Sequence, residues 1–289
     1  MKLSADHCFA IGRPHAMSGT PCEDYALSGA DETSAYAVVS DGCSSAPHSD
    51  IASRIVAHAL HHELVAGAFR ESCTMLSGLQ KRMRESETAL GVAQNKLRAT
   101  ALGVFAHLDR AVINVFGDGV FAIKYRDGTL MMCRHDWEKN APFYPAYFGG
   151  SLAEFRAFHA DVQTPVRVQW ATSKADSSGE YTERCITRTL SEGVLGFTFS
   201  FPQWRIIEKS GIEFIALMSD GVTQIDGMDW KEAVGTLLSF KTTAGSFVKR
   251  RMMHVVRESQ KTGRGPLDDI ACAVIHFEQE VENGETETS

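Results

Sequence analysis

The stretch AYAVVSDGCSSAPHSDIASR, residues 35–54, combines a strand, a loop and the start of a helix. Its apolar run at 35–40 predicts a buried strand that carries Asp41 at its end. Gly, Ser, Pro and Asp then follow in close order, which is typical of a loop. Ser49 or Asp50 can cap the helix that comes next. The chain is therefore expected to present an acidic side chain where a buried strand meets a loop.

The remaining pattern mixes helices and strands. The helix after the loop is expected to pack through Ile51, Ile55 and Ala59, which recur at helical spacing. Other helices are expected near 71–90, 229–239 and 245–260. Short apolar runs separated by tight turns predict an antiparallel meander over 100–133. More strands are expected near 166–171, 182–190, 204–208 and 213–218, and a last one follows Asp269. Without a βαβ rhythm, this order favours an α+β fold.

Length and charge bound the class of protein. The chain has 289 residues, of which 44% are hydrophobic and 22% charged, as in ordinary globular proteins. The net charge of −7 argues against nucleic-acid binding as the main task. Five glutamates and no basic residue occur in the last twelve positions. We expect one domain over 1–278 and a disordered acidic tail over 279–289.

Cysteine usage and the N-terminus bear on location. Seven cysteines occur without any CxxC pair, which argues against a disulfide framework or a zinc site and favours free thiols in a reducing compartment. No signal-peptide pattern and no apolar run of 18 residues is present. A cytoplasmic protein without membrane or nucleic-acid partners is therefore expected.

Four aspartates lie beside strand ends. Asp41, Asp220 and Asp269 each accompany an apolar run, and Asp24 precedes another predicted strand. Carboxylates gathered together repel one another unless cations lie between them, and oxygen ligands favour Mg²⁺, Mn²⁺ or Ca²⁺ over zinc. The glycines after Asp41 and Asp220 allow the backbone to approach an ion. A single Asp-Gly after a strand is usually only a turn, so both interpretations stay open at this point.

Five segments then follow one another in a known order. They are CEDYAL (22–27), AVVSDGCSSAPHSDIASR (37–54), INVFGDGVFAIKYRDG (113–128), FIALMSDGV (214–222) and LDDIACAVI (267–275). In order and spacing they resemble the metal-dependent serine/threonine protein phosphatases of type 2C. The start GRPHAMSGTPCEDY is similar to a bacterial branch of that family. The resemblance covers about 5–276 and implies an αββα sandwich, in which helices flank two central antiparallel sheets.

The resemblance also implies a set of metal ligands. Asp41 would bridge two Mg²⁺ or Mn²⁺ ions, and Asp220 and Asp269 would hold the first. The carbonyl of Gly42 would contact the second ion. Waters of that ion would be held by Asp24, alone or together with Glu23. Asp118 would join Asp220 around a third, weaker ion. Asp41, Asp220 and Asp269 are therefore the expected catalytic residues.

The sequence departs from the family pattern in two places. The family often has a phosphate-binding arginine four or five residues before the early acidic motif, but residues 18–20 contain no base. Arg13 and His15 are the nearest candidates to bind the substrate instead, and an ordinary turn at these residues is the alternative. Cys43 occupies a position where animal members often have histidine. A flap that shapes substrate choice is expected within the region from 136 to about 200.

These features predict a Mg²⁺- or Mn²⁺-dependent protein phosphatase. It would hydrolyse phosphoserine and phosphothreonine with a metal-activated water, acting on phosphorylated proteins and opposing a cognate serine/threonine kinase. The missing arginine leaves a non-catalytic phosphatase-like module, which binds a partner or phosphopeptide, as the main alternative. A metal-dependent phosphoesterase for small molecules is a further one.

Overall fold

The computed structural model describes residues 1–67, 72–93, 96–148, 150–174, 180–189, 196–202 and 211–279. Its strands are β1 Lys2–Ala10, β2 Asp24–Ala30, β3 Ser34–Asp41, β4 Ala101–His107, β5 Arg110–Phe116, β6 Gly119–Tyr125, β7 Leu130–Trp137, β8 Val166–Ser173, β9 Tyr181–Arg188, β10 Phe197–Pro202, β11 Ile212–Met218 and β12 Ile270–Glu278. Its helices are α1 Arg13–Ser18, α2 Ser49–Gly67, α3 Ser72–Leu90, α4 Leu152–Phe158, α5 Trp230–Leu237 and α6 Phe247–Lys261.

Two antiparallel sheets form the centre. One has seven strands in the order β1-β12-β11-β6-β7-β8-β9, and the other has five in the order β10-β5-β4-β3-β2. Helix α2 covers the five-stranded sheet and α3 packs against α2, while α6 packs against β1 and β12 of the seven-stranded sheet and shares a core there with α5. The structure thus confirms the α+β prediction and the αββα sandwich.

Apolar side chains fill the spaces between these layers. The larger core joins the facing sides of the two sheets and continues under α2, where Val38, Val56 and Leu60 are fully buried. A second core lies between the seven-stranded sheet and the helices α5 and α6, and it includes Trp230 and Met252. Both sheets are therefore buried on both faces, which explains why most of their strands are apolar runs without alternation.

Two sequence expectations are corrected by the structure. The buried side of α2 is formed by Ala52, Val56 and Leu60, whereas Ile51 and Ile55 are only partly buried. Small side chains allow this helix to lie close to the sheet, so the largest apolar residues do not mark its packed face. The expected meander is also two separate hairpins, because β4 and β5 belong to the five-stranded sheet and β6 and β7 to the other.

Other expectations have mixed outcomes. Strands β1 and β10 were not predicted: β1 has no clear two-residue alternation, whereas β10 does alternate, with phenylalanine at 197, 199 and 201, and was overlooked. The strand expected at 204–208 and most of the acidic tail lie outside the described residues, so both stay predictions, as does the domain boundary at 278. No helix in the described segments is long and apolar enough to cross a bilayer.

Candidate metal centre

Asp24 and Asp41 form the middle of the site. They occupy paired positions on the neighbouring antiparallel strands β2 and β3, at one end of this strand pair in the five-stranded sheet. Their carboxyl groups lie within hydrogen-bonding reach of each other. Burial raises the pKa of each well above its ordinary value, and the charge of Asp220 adds to the effect on both. Two carboxylates this close cannot both ionise unless a cation compensates.

The backbone and neighbouring hydroxyls fix these two residues. The N–H of Asp41 donates to Oγ1 of Thr100 at 2.9 Å, and the N–H of Thr100 donates to the carbonyl of Asp41 at 2.8 Å. Oγ of Ser219 donates to Oδ2 of Asp24 at 2.5 Å and accepts the N–H of Ala271 at 2.9 Å. Ser219 therefore connects Asp24 on one sheet to β12 on the other.

Asp118 lies where the chain crosses from one sheet to the other. The flanking Gly117 and Gly119 have φ angles of 107° and 128°, which other residues rarely adopt. Nε1 of Trp137 donates to the carbonyl of Gly117 at 3.0 Å and holds the turn. Burial, and then the charge of Asp220, raise the pKa of Asp118 well above its ordinary value. This crossing, which splits the expected meander, brings Asp118 to the site.

Asp220 begins a 3₁₀ turn directly after β11. Burial raises its pKa, and the negative charge of Asp268 contributes to the same shift. Nε2 of Gln224 donates to Oδ2 of both Asp220 and Asp268, at 3.2 Å each. Gln224 thus keeps these two carboxyl groups side by side.

Asp269 has a different environment from the one the family resemblance implied. Its Oδ1 accepts the N–H of Gly12 at 2.6 Å, and its Oδ2 accepts the N–H of Glu23 at 2.6 Å. Nδ1 of His15 also lies 3.0 Å from that second oxygen. Both carboxylate oxygens are therefore used to hold the loops before β2, while the neighbouring Asp268 extends towards Asp220.

The two residues expected to bind substrate are separated in the structure. Nη1 of Arg13 donates to the carbonyl of Gly263 at 2.8 Å, so this guanidinium is directed to the end of α6. His15 lies against Asp269, and its Nε2 is 4.0 Å from Oε2 of Glu23. Burial by itself lowers the pKa of His15, but the hydrogen bond and charge of Asp269 outweigh that effect, and the net shift is upward.

Glu23 and Gly42 lie directly beside Asp24 and Asp41, at the same end of β2 and β3. Oε1 of Glu23 accepts a hydrogen bond from Oγ of Ser49, and its other carboxylate oxygen is buried without a hydrogen-bond partner among the described residues. The N–H of Gly42 donates to the carbonyl of Glu23 at 3.1 Å. A Cβ atom at position 42 would lie 2.3 Å from the carbonyl oxygen of Ser49, so only glycine fits this close approach.

Tyr144 and Arg134 were not identified from the sequence as site residues. The hydroxyl of Tyr144 is hydrogen-bonded to Cys43 and lies near Asp41 and Asp118. Burial is the main reason that its pKa is raised. Arg134 lies near Asp118, and its Nε is 2.7 Å from Oδ1 of Asp136. Arg134 lies on β7, which pairs with β6 directly after Asp118, and Tyr144 lies in the segment that follows β7. No local motif marks either residue.

The donor set fits hard divalent cations. The carboxyl groups of Asp24, Asp41, Asp118 and Asp220 lie together and have raised pKa values. Asp24 and Asp118 are buried, whereas Asp41 and Asp220 are partly exposed. In the described part of the chain, no three acidic, histidine or cysteine side chains already stand in an ion-coordinating arrangement. Raised pKa values are expected for such a cluster without compensating charge, and bound cations would lower them again.

The comparisons with known proteins agree with this geometry. The family model described as protein phosphatase 2C matches residues 11–262, and the chain belongs to this family of protein phosphatases. No match was found among curated proteins.

Among solved structures, one titled a bacterial serine phosphatase has a TM-score of 0.54 at 12% identity, covering 96% of this chain and 99% of that one. The serine/threonine phosphatase Stp1 from Staphylococcus aureus has a TM-score of 0.53 at 12% identity, covering 96% of each chain. The serine/threonine phosphatase of S. agalactiae has a TM-score of 0.50 at 14% identity, covering 96% and 100%. At these identities the likeness shows the fold.

Proposed function

We propose that this protein is a Mg²⁺- or Mn²⁺-dependent phosphatase acting on phosphoserine and phosphothreonine in proteins. The observation that carries the proposal is the cluster of four carboxyl groups with raised pKa values, to which both sheets contribute. When bound, divalent cations supply an activated water for in-line attack and offset the charge of the phosphoryl oxygens. A kinase that phosphorylates the same substrates is the expected counterpart.

The ligand set that we propose differs in one position from the one the family resemblance implied. Asp41 is central, because it is hydrogen-bonded to Asp24 and is close to both Asp118 and Asp220. Asp268 takes the role of first-ion ligand that was expected for Asp269, because it lies beside Asp220. Its only backbone hydrogen bond among the described residues comes from the N–H of Asp269 next to it. Asp269 positions the loops around Gly12 and Glu23.

The remaining residues orient this set. Ser219 holds Asp24, Gln224 holds Asp220 and Asp268 together, and Thr100 fixes the backbone of Asp41. The carbonyl of Gly42 remains the proposed ligand of a second ion, and Asp118 of a third. Together these contacts fix the positions of the carboxyl and carbonyl oxygens that we propose as ligands.

The proposal is tested with p-nitrophenyl phosphate and purified protein. We expect hydrolysis that rises with Mn²⁺ and disappears with EDTA, and we expect Asp41→Asn to lose at least a hundredfold in kcat while its Tm in EDTA is retained. The exposed Asp109, in the turn between β4 and β5, provides the matched control Asp109→Asn, which keeps activity.

The outcomes separate the alternatives. Substantial Mn²⁺-dependent hydrolysis by Asp41→Asn would contradict the proposal. Mn²⁺ binding by the wild-type protein without any hydrolysis would favour the non-catalytic binding module instead. Hydrolysis of small phosphate esters alone, with no activity on phosphopeptides, would favour a small-molecule phosphoesterase.

A further inference from the structure

Arg98 lies directly beside the loop that carries Asp41. The N–H of Cys43 donates to the carbonyl of Arg98 at 2.9 Å, and Gly42 pairs with Ala99 in an isolated antiparallel bridge. The segment with Arg98 therefore runs antiparallel to the start of the loop after β3. Any substrate that reaches Asp41 passes close to this segment.

The guanidinium of Arg98 is incompletely partnered. Its carbon atom Cζ lies 5.5 Å from the centre of the Tyr147 ring, a cation–π distance. Its Nε is buried and has no hydrogen-bond partner among the described residues. Buried donors are nearly always satisfied, because an unpaired one costs about 1–3 kcal/mol. This nitrogen is thus an unsatisfied donor in a side chain that is, as a whole, partly exposed.

Aromatic side chains connect Arg98 to the acidic centre. The rings of Tyr147 and Tyr144 lie 5.6 Å apart, and Tyr144 is hydrogen-bonded to Cys43 near Asp41. The order outward from the carboxyl cluster is therefore Tyr144, Tyr147 and then Arg98. Together with the backbone contacts between residues 42–43 and 98–99, this places the guanidinium at the flank of the cluster.

We propose that Arg98 and Tyr147 form a subsite for an acidic side chain next to the phosphorylated residue of the substrate. The proposal deepens the proposed function and rests on it. Guanidinium groups bind carboxylates through paired N–H donors, and Arg98 offers such a donor beside a centre that is otherwise rich in negative charge. The substrate class is therefore phosphoproteins with acidic residues close to the phosphoserine or phosphothreonine.

The test compares two phosphoserine peptides that differ only in having glutamate or alanine on both sides of the phosphoserine. With Mn²⁺, we expect the wild-type protein to prefer the acidic peptide in kcat/KM. Arg98→Gln is expected to reduce this preference about tenfold, and Arg98→Lys to reduce it less. Arg257→Gln, at an exposed position of α6 on the opposite layer, is the charge-matched control and keeps the preference.

A binding measurement makes the subsite testable apart from turnover. In the Asp41→Asn background, fluorescence anisotropy gives the affinity for each labelled peptide, and adding Arg98→Gln is expected to weaken only the acidic one. Equal preference in wild type and Arg98→Gln would overturn the subsite while leaving the phosphatase intact. An equal loss on both peptides and on p-nitrophenyl phosphate would also overturn it, by assigning Arg98 to the phosphoryl group. Absence of all hydrolysis would count against the proposed function, and the binding result would still decide the subsite.

Discussion

Alanine substitutions at Asp268 and Asp269 test the proposal that Asp268 is a metal ligand and that Asp269 holds the neighbouring loops. In Asp269→Ala, the backbone N–H groups of Gly12 and Glu23 lose their charged acceptor in a buried site. A hydrogen bond to a charged group contributes about 1.5–3 kcal/mol, so the two together amount to about 3–6 kcal/mol. For a chain of this size, 1 kcal/mol corresponds to about 2 °C in Tm. We expect Tm to fall by about 6–12 °C.

Asp268→Ala should behave in the opposite way. The side chain of Asp268 accepts from the N–H of Asp269 and from Gln224, and it adds negative charge beside Asp220. Its loss removes these hydrogen bonds but also relieves the repulsion with Asp220, so Tm in EDTA is expected to change by about 2 °C or less. Its loss should weaken Mn²⁺ binding at least tenfold in isothermal titration calorimetry. The reasoning is refuted if Asp269→Ala keeps its Tm in EDTA and loses Mn²⁺ binding while Asp268→Ala retains it.

Three further predictions concern stability. Burial raises the pKa values of Asp24, Asp41, Asp118 and Asp220 above their unfolded values near 3.8. The metal-free protein should therefore lose stability as pH rises above about 4, and Mn²⁺ should raise Tm more at pH 8 than at pH 5. A larger effect of Mn²⁺ on Tm at pH 5 would contradict this. Ser219→Ala removes the donor to Asp24 and should cost about 1–3 kcal/mol in urea unfolding, and an unchanged midpoint would argue against that contact. Gly78→Ala places a Cβ 1.9 Å from Oε2 of Glu63, where it displaces the carboxylate from Arg82 and should lower the free energy of unfolding by about 1–3 kcal/mol. In the helical control Gly235→Ala, the new Cβ meets only Leu130 at 3.8 Å, and the free energy of unfolding should rise by about 0.5–1 kcal/mol. Equal effects of the two substitutions would contradict the contact geometry.

Much of the site could be located from the sequence because its aspartates follow apolar runs. Asp41 and Asp220 each end a buried strand, and the Gly-Asp-Gly turn at Asp118 is a local signal. The choice between Asp268 and Asp269 could not be made in this way. Neighbouring residues before a strand point to opposite sides, and a shift of one residue reverses their roles.

The features that the sequence did not predict depend on contacts between residues far apart in the chain. The hairpins around Asp118 have turns of similar length, so the sequence does not show that they belong to different sheets. Arg98 and Tyr144 reach the site through contacts between distant segments, and neither has a pattern of its own. The packed face of α2 was misjudged because close approach to a sheet favours small residues such as Ala52 over Ile51.

The most direct test of the central claim is phosphate release from a phosphoserine peptide while Mn²⁺ is titrated into metal-free protein. The account predicts no release in EDTA, a saturable rise with Mn²⁺, and no rise for Asp41→Asn at the same protein concentration. Phosphate release that is unaffected by EDTA, or that persists in Asp41→Asn, would contradict a phosphatase built on this carboxyl cluster.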